Sequence, residues 1–465
     1  MTIDGRAVST PDTIDVVNPA TGAMFAEAPD CSRDQLNLAM LSAQAAFTEW
    51  KSDLEFRRET MRAAAAALDD AAEDLALVAT MEQGMPLPMS VGVVRKAAAS
   101  LSSYAELEVP RSVIQDDEYA VVEVVRRPLG VIAAIKPWNV PITMAIATVA
   151  PALRAGCTVV LKPSPYTPLA TLKLGEALRD VLPPGVLNVV SGADPLGQWM
   201  TEHPVPRGIS FTGSIATGKR VNETAARDLK RVLLELGGND AAIVLDDVDP
   251  TAVADKLFWR AFGNAGQVCM AIKRVYVPER LHGAIVEALV AKARSVRVGN
   301  GLDDGVEMGP INNKAQFERL QELVADAVAH GAIVASPGNA LPDSGYFFEP
   351  TILTEIADGT RLVEEEQFGP VLPVMPYRTV AEAIARANAT HYGLGASVWS
   401  DDLSSAAKVA EQLEAGTVWI NTHMVVGPDQ PFGGVKWSGV GSGNGIWGVQ
   451  SFTDVQTIYH AHGRS

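Results

Sequence analysis

The pattern of apolar and polar positions is most regular between residues 128 and 237, where short apolar runs alternate with glycine and proline. Four of these runs are typical of strands buried on both faces of a sheet: GVIAAIKP, GCTVVLKP, GVLNVVSG and RGISFTGS. Between the second and third runs, apolar residues recur on one side of a predicted helix: Leu174, Ala177, Leu178 and Val181. The order strand, helix, strand predicts a parallel sheet with crossover helices.

Other segments extend this α/β interpretation. A capping box at Ser32 and Gln35 begins a predicted helix, and the alanine-rich run from Arg57 to Met81 predicts another that ends near Gly84. After LELGGND, the run AAIVL reads as a strand and TAVADKLFWRAF as a helix, so a second α/β unit begins there. The segment YAVVEVVRRP instead alternates like an exposed hairpin arm, and such arms often pair with another chain.

Size and composition set limits on the class of protein. A chain of 465 residues is longer than one core usually serves, so at least two domains are expected. A net charge of −17 without a long run of lysine or arginine argues against nucleic-acid binding. No signal-peptide pattern begins the chain, and no stretch of about 18 apolar residues follows. We therefore expect a cytoplasmic protein without a membrane partner.

The three cysteines, Cys31, Cys157 and Cys269, are widely spaced and form no CxxC pair, which disfavours a disulfide framework and a thiolate metal site. With the seven histidines scattered as well, no metal is expected. Cys269 follows Gly266 and Gln267, and a predicted helix ends nearby, where backbone N–H groups favour a thiolate and later an oxyanion. The alternative is a small core residue, which is the commoner role of a lone cysteine.

A thiol nucleophile needs a base. His203 and His282 are the nearest histidines in the chain, and neither lies in a motif. Glu235 is another candidate, because LELGGND places a carboxylate just ahead of two glycines, separated only by Leu236, and these glycines let other groups approach closely. Desolvation would raise the pKa of such a carboxylate and suit it as a general base near neutral pH. The alternative is a surface glutamate at a strand end.

The segment KPWNVPI holds Trp138 and Asn139 between two prolines at a strand end, where a stiff backbone directs the side chains. Asn139 could donate its amide to a developing oxyanion, although the same pattern also fits a capped turn.

A nucleotide site is indicated only weakly by local motifs, since no GxGxxG follows the first strand of the block. In SFTGSIATGKR, Gly213, Ser214 and Gly218 open a helix and could place N–H groups near a pyrophosphate. Lys162 ends the strand of TVVLKPS, at the sheet edge where ligands of such folds bind. The alternatives are an ordinary glycine-rich turn and a solvated lysine.

Together these segments resemble the NAD(P)-dependent, non-acylating aldehyde dehydrogenase superfamily, and the likeness runs through nearly all of the chain. Seven pieces match in the family's order: PWNVP, KPS, FTGS, LELGGND, GQVC, EEQFGP and PFGGVKWSG. Cys269 also lies 34 residues after Glu235, as in typical members.

The resemblance implies an α/β fold with a Rossmann-like parallel-sheet cofactor domain, a second α/β catalytic domain and a small β oligomerisation arm. We place the dinucleotide-binding domain at residues 1–109 and 128–237 and the catalytic domain at 238–436. The arm and C-terminal segment take 110–127 and 437–465, and the expected assembly is a homodimer or homotetramer.

The resemblance also implies the roles of individual residues. Cys269 attacks the aldehyde carbonyl, the Asn139 amide and the Cys269 N–H hold the oxyanion, and Glu235 activates the water that hydrolyses the thioester. The cofactor is NAD or NADP. Lys162 and Glu366 match the positions that hold its ribose hydroxyls. The further cofactor positions are Trp138, Ser164, Gly213, Ser214, Gly218 and Phe368.

Two departures from the family pattern stand out. Many NAD-preferring members have a glutamate three residues after the motif lysine, where this chain has Pro165, so we expect NADP to be accepted. Near the C-terminus, Ser442 and Gly443 replace a common arginine-glutamate pair, which we expect to affect local packing or subunit contacts rather than chemistry.

The positions that line the aldehyde tunnel in relatives are apolar and mostly small here: Val140, Met144, Ala147, Gly263, Val268, Met270, Val426 and Phe432. This favours a bulky, aromatic or medium-chain aldehyde over a carboxylated semialdehyde, because a buried carboxylate would lack a partner. Three other functions stay open from the sequence: a dehydrogenase that passes the acyl group to coenzyme A, an esterase, and a structural protein that kept the fold.

Overall fold

The computed structural model describes residues 1–335, 338 and 340–462. Within them the strands are β1 Thr2–Ile3, β2 Arg6–Ala7, β3 Thr13–Asn18, β4 Ala23–Pro29, β5 Ser112–Asp116, β6 Ala120–Pro128, β7 Val131–Ile135, β8 Thr158–Lys162, β9 Leu187–Val189, β10 Gly208–Thr212, β11 Arg231–Glu235, β12 Asp240–Val244, β13 Ile272–Pro278, β14 Ile333–Val334, β15 Thr351–Thr354, β16 Val371–Tyr377, β17 Gly395–Trp399, β18 Thr417–Ile420, β19 Gly439–Val440 and β20 Thr453–Ala461.

Over the same residues the α-helices are α1 Arg33–Trp50, α2 Leu54–Asp70, α3 Ala72–Gln83, α4 Leu87–Glu106, α5 Pro141–Ala155, α6 Leu169–Arg179, α7 Leu196–Glu202, α8 Ile215–Arg227, α9 Pro250–Phe262, α10 Glu279–Ser295, α11 Lys314–Ala329, α12 Arg361–Glu364, α13 Val380–Asn388, α14 Leu403–Ala410 and α15 Gly445–Ser451. Short 3₁₀ turns cover Gly263–Gly266 and Lys436–Ser438.

The first sheet confirms the predicted parallel βα unit. Its order is β19-β11-β10-β7-β8-β9-β1-β2, and the five central strands are parallel. Along β7, Ile132 and Ala134 pack with α4, α5 and α6, whereas Val131 and Ala133 pack with α1. Both faces of the strand are therefore buried, which explains why its sequence lacks polar alternation.

The strand order reverses between β7 and β10. From β7 the chain moves outward through β8 and β9, and β10 then returns to the opposite side of β7. In open α/β sheets, ligands bind beyond the carboxyl ends of the strands at such a reversal. The segment after β7 that carries Trp138 and Asn139, and the Gly213-Ser214 turn after β10, lie on the two sides of this position.

A second sheet of seven strands has the order β14-β15-β16-β13-β12-β17-β18 and a separate core of apolar residues. It begins directly after Glu235, since only four residues separate β11 from β12. A third sheet, β20-β6-β5, joins the predicted hairpin arm to the C-terminal strand through nine antiparallel residue pairs between β6 and β20.

The predicted helix from Arg57 to Met81 is instead two helices, α2 and α3, that meet at Ala71. Asp69 and Asp70 are poor helix formers and lie at the carboxyl end of α2, where acidic side chains are unfavourable. The acidic first turn of α3 favours a new helix start. The capping box at Ser32 and Gln35 begins α1 as predicted.

Among the described residues, none of the helices combines the length and the apolar character that crossing a lipid bilayer requires.

One tight contact between a helix and a strand end allows a stability prediction. A β-carbon at Gly218 on α8 would lie 2.5 Å from Leu236 Cδ2, so Gly218→Ala should lower the midpoint of thermal unfolding and cost about 1–3 kcal/mol. On α7, a β-carbon at Gly197 would meet nothing within 4 Å, so the matched Gly197→Ala should be neutral or stabilising by up to about 1 kcal/mol. Circular dichroism melts compare the two, and equal midpoints would contradict this account of the packing.

Candidate active site

The candidate catalytic residues gather where the first sheet meets the second. Glu235 is the last residue of β11 and pairs with Thr212 at the end of β10. Asn139 lies between β7 and α5, two residues before the helix begins, and Cys269 lies in the turn before β13 of the second sheet. The chain therefore brings three segments that are far apart in sequence to one edge.

The turn that leads to Cys269 has an unusual backbone. Asn264, Ala265 and Gly266 have φ values of 52°, 53° and 69°, which places three consecutive residues in the left-handed region. For alanine this conformation is costly and persists only where the surroundings impose it. No helix starts at Cys269. The backbone N–H groups that the sequence analysis expected at a helix end therefore belong to this irregular turn.

Hydrogen bonds hold Asn139 against that turn. Asn139 Nδ2 donates to the carbonyl of Gln267 at 2.9 Å, and Asn264 Nδ2 donates to the carbonyl of Asn139 at 3.1 Å. The side chain of Gln267 is fully buried and receives the N–H of Asn312 at 2.8 Å. An asparagine amide carries two N–H bonds, so the first contact orients the group while the second N–H can donate to a ligand.

The Cys269 thiol is strongly influenced by its surroundings. The residue is partly exposed, yet burial raises the pKa of its thiol to about 12, which favours the protonated form. The charge of Lys273 acts in the opposite direction, whereas the charges of Glu366, Glu235 and Asp240 add to the rise. The free thiol therefore needs a base or a change in its surroundings to become a nucleophile.

Glu235 has the environment of a general base. Both carboxylate oxygens are buried without a hydrogen-bond partner among the described residues, and burial raises the pKa of the group to about 8. The positive charge of Lys136 opposes that rise. A carboxylate whose pKa lies near neutrality can accept a proton from water under working conditions.

Lys136 is a component that the sequence reasoning missed. It is buried, and its Nζ donates to Ser210 Oγ at 2.9 Å and to Thr212 Oγ1 at 3.3 Å. Thr148 on α5 also bonds to Ser210 Oγ at 2.9 Å, so the group occupies the space between β10 and α5. Burial lowers the pKa of Lys136, and the charge of Glu235 raises it. The sequence signal that could have identified it is a lysine directly after the apolar run VIAAI.

The two glycines after Glu235 permit close approach, as predicted. A β-carbon at Gly237 would lie 2.2 Å from Glu366 Oε2, and one at Gly238 would lie 2.6 Å from the carbonyl oxygen of Cys269. The N–H of Gly238 donates to Glu366 Oε1 at 3.1 Å. Any side chain at these positions would force Glu366 or the Cys269 turn away.

Several candidate dinucleotide residues lie at the carboxyl ends of strands in the first sheet. Lys162 is buried at the end of β8, and its Nζ donates to the carbonyl of Pro163 at 3.1 Å. Ser164 Oγ accepts the N–H of Tyr166 and thereby shapes the turn after that lysine. Ser214 is the N-cap of α8, and its Oγ accepts the N–H of Thr217.

Gly213 and Gly218 have packing roles that differ from the one suggested by sequence. The N–H of Gly213 donates to the carbonyl of Glu235 at 3.1 Å, and the N–H of Gly218 donates to the carbonyl of Ser214 within α8. Neither amide is therefore free to bind a pyrophosphate. Gly213 fastens the turn to the end of β11, and Gly218 lets α8 approach Leu236.

Trp138 and Phe368 meet edge to face, with ring centroids 5.2 Å apart. Phe368 has a φ of 53°, so its backbone is left-handed like that of the turn before Cys269. Glu366, two residues earlier, is largely buried, and its carboxylate is 3.6 Å from Lys273 Nζ. Residues from both sheets thus form one wall beside the carboxyl ends of β7 and β10.

The six residues assigned to the substrate are partly buried and apolar: Val140, Met144, Val268, Met270, Val426 and Phe432. Val140 and Asn139 also line a small apolar pocket with residues of α3 and α4. A β-carbon at Gly263 would lie 3.7 Å from Met424 Cε, so Met424, which the sequence reasoning did not name, is a neighbour of Gly263.

Gly443 lies closer to the chemistry than the sequence suggested. It pairs with Phe432 through two backbone hydrogen bonds, and a β-carbon there would be 3.9 Å from Glu235 Oε1. The departure from the arginine-glutamate pair therefore falls beside the candidate base, a position that the sequence analysis did not anticipate.

The two histidines that the sequence analysis weighed as bases have other partners. His203 contacts Asn37, and His282 contacts the carbonyl of Val374. His423, which the sequence analysis did not single out, is fully buried, and its Nε2 lies 2.9 Å from the carbonyl of Met270. In the described part of the chain, no group of three or more His, Cys, Asp or Glu side chains is arranged to hold a metal ion.

Comparison with known proteins agrees with this geometry. Residues 7–458 match the model of the aldehyde dehydrogenase family. The chain is 37% identical to a succinate-semialdehyde dehydrogenase [NADP(+)] of Escherichia coli, covering 96% of this chain and 94% of that protein. It is 38% identical to a phenylacetaldehyde dehydrogenase of Pseudomonas fluorescens, covering 99% and 96%.

A solved structure of an aldehyde dehydrogenase from Bacillus cereus in complex with NAD+ superposes with a TM-score of 0.96 at 33% identity, over 99% of this chain and 96% of that chain. The expected fold is thereby confirmed. The chain belongs to the aldehyde dehydrogenase family and is an enzyme that oxidises aldehydes with NAD or NADP.

Proposed function

We propose that the enzyme converts its aldehyde into the free carboxylic acid through a covalent intermediate on Cys269. The thiolate attacks the carbonyl carbon, and the Asn139 amide and the Cys269 N–H hold the oxyanion of the resulting thiohemiacetal. The observation that carries the proposal is the position of Cys269, Glu235 and Asn139 at one meeting point of the two sheets, with Asn139 bonded to the residue two before Cys269.

The bound dinucleotide supplies the hydride acceptor, so that the thiohemiacetal becomes a thioester. In the proposal, Lys162 and Glu366 bind its ribose hydroxyls. Ser164, Ser214, Trp138 and Phe368 shape the rest of its site, and Gly213 and Gly218 contribute the close packing beneath it. Pro165 replaces a carboxylate that would repel a 2′-phosphate, and we therefore propose that NADP is accepted as well as NAD.

Glu235 takes a proton from the water that attacks the thioester, which releases the acid and restores the Cys269 thiol. Its raised pKa makes this carboxylate a better base than an exposed glutamate, and the absence of hydrogen-bond partners among the described residues leaves its oxygens available to water. Lys136 follows β7, which β10 separates from the strand of Glu235, and its charge favours the ionised carboxylate.

For the substrate, we propose a bulky apolar or aromatic aldehyde. The six tunnel residues offer apolar contacts and no charge to pair with a carboxylate group, which is costly to bury alone. The names of the relatives point both ways, since one acts on succinate semialdehyde and another on phenylacetaldehyde.

We also propose the domain division at residues 1–109 and 128–237, 238–436, and 110–127 with 437–465, with β19 of the last segment adding to the first sheet. The described residues do not include positions 336, 337, 339 and 463–465 of this division.

The third sheet exposes large apolar side chains: Val113, Ile114, Tyr119, Val455 and Tyr459. We propose that a second copy covers them in a homodimer or homotetramer.

Removal of the nucleophile tests the core of the proposal. Cys269→Ala should abolish aldehyde oxidation while leaving the thermal midpoint and dinucleotide affinity close to wild type, because the side chain takes part only in the covalent step. Cys31→Ala, a matched change at a buried cysteine outside the site, should keep the activity. NAD(P)H formation at 340 nm is the readout, and measurable turnover by Cys269→Ala would overturn the assignment.

The position of Gly443 predicts a pH effect. Glu235 works as a carboxylate, so activity should rise with pH through its pKa of about 8. Gly443→Glu adds a second carboxylate beside Glu235, which disfavours ionisation and should move this rise to higher pH by about one unit or more. Gly443→Gln has nearly the same shape without the charge and should leave the profile near wild type. Coincident profiles for the two variants would contradict the placement of the base.

The substrate proposal is tested with an aldehyde panel, run separately with NAD and NADP. Phenylacetaldehyde and benzaldehyde should give a kcat/KM about tenfold or more above that of succinic semialdehyde, since one uncompensated buried charge costs well over 1.4 kcal/mol. Both cofactors should support turnover. A clear preference for the carboxylated aldehyde would show that a cation reaches the tunnel.

A further inference from the structure

Lys273 has an unusual set of partners for a buried lysine. Only 3% of its side chain is exposed, and its Nζ donates to the carbonyl oxygens of Cys269 at 2.6 Å, Val268 at 2.9 Å and Ala271 at 3.4 Å. A buried ammonium must satisfy its three N–H donors. Here all of these partners belong to the turn that carries the candidate nucleophile.

A second buried side chain completes this support. His423 Nε2 donates to the carbonyl of Met270 at 2.9 Å. Four consecutive carbonyls, from Val268 to Ala271, therefore accept hydrogen bonds from Lys273 or His423. The backbone on both sides of the Cys269 Cα is fixed in this way, although the residues just before it are strained.

The Lys273 ammonium also lies near two residues that the proposed function assigns to the cofactor. Lys273 Nζ is 3.6 Å from Glu366 Oε1 and lies 5.9 Å from the ring centroid of Phe368. Glu366 is the carboxylate that Gly238 binds through its N–H. Lys273 is therefore placed between the turn of Cys269 and two residues that the proposed function assigns to the dinucleotide.

We infer that Lys273 is a positioning residue that fixes the Cys269 turn, supplies the positive charge next to the thiol, and links that turn to the cofactor side through Glu366. The inference rests on the proposed function only in assigning Glu366 and Phe368 to the cofactor.

Several charged groups act on the thiol from the elements packed around it. Glu235 comes from β11, Asp240 from β12 and Glu366 from the segment before β16, and each of these carboxylates disfavours the thiolate. Lys273 on β13 is the cation that favours it. His423 lies 3.4 Å from Asp240 Oδ2 and donates from Nε2 to Met270. Without Lys273, the surroundings named here would be dominated by negative charge.

The test is the pH dependence of Cys269 alkylation by iodoacetamide, followed by mass spectrometry of the Cys269 peptide without aldehyde or dinucleotide. Lys273→Met and Lys273→Gln should move the midpoint to higher pH and slow alkylation about tenfold or more below it, which corresponds to one pKa unit. Lys273→Arg keeps the charge and should stay near wild type. Lys256→Met, at an exposed lysine of α9, serves as the control.

The inference would be overturned if Lys273→Met and Lys273→Gln kept the wild-type alkylation profile. It would also be overturned if alkylation were slowed equally in Lys273→Gln and Lys273→Arg, because the shape of the side chain and not its charge would then matter. Should Lys273→Met not fold, the comparison of the glutamine and arginine variants decides. The proposed function is judged separately, since alkylation requires no turnover and Cys269→Ala reports on oxidation.

The link to the cofactor side has its own readout. Saturating NAD or NADP should change the alkylation rate of the wild-type thiol, and the change should be smaller in Lys273→Gln. An equal change in both proteins would overturn the link through Glu366.

Discussion

The site depends on the close approach of two backbones at Gly237 and Gly238. These residues follow Leu236, the next residue after Glu235, and the space that their side chains would fill is taken by the Glu366 carboxylate and the carbonyl of Cys269. The first sheet ends and the second begins within this short segment. Because both glycines lack a β-carbon, residues from the two sheets can share one compact site. A β-carbon at either position would force these groups apart.

This proximity has an electrostatic consequence. Burial raises the pKa of both Cys269 and Glu235, so the resting site favours a neutral thiol and a carboxyl that titrates near neutral pH. Lys273 acts on the first group and Lys136 on the second. Each lysine is buried, and each is bonded to backbone or hydroxyl oxygens that hold its ammonium in place. Each reactive group therefore has its own lysine, whose charge favours the ionised form of that group: Lys273 for Cys269 and Lys136 for Glu235.

Much of this could be predicted from the sequence, for identifiable reasons. Apolar runs bounded by glycine and proline predicted the parallel strands. The LELGGND motif predicted both the carboxylate of Glu235 and the close approach of other groups at the two glycines. Residues that act through tertiary contacts were missed: Lys136, Lys273 and His423 bond to atoms far along the chain or to backbone carbonyls, which leave no periodic pattern. For the same reason, the amides of Gly213 and Gly218 were expected at a phosphate, whereas they bond within the protein.

The most direct test of the shared site is single-turnover chemistry with Glu235→Gln. If Cys269, Glu235 and the nicotinamide act on the same carbon atom of the substrate, this variant should release about one NAD(P)H per active site and then stop. An acyl group should remain on Cys269, where mass spectrometry detects it. Undiminished steady turnover, or an acyl adduct on another residue, would contradict the account.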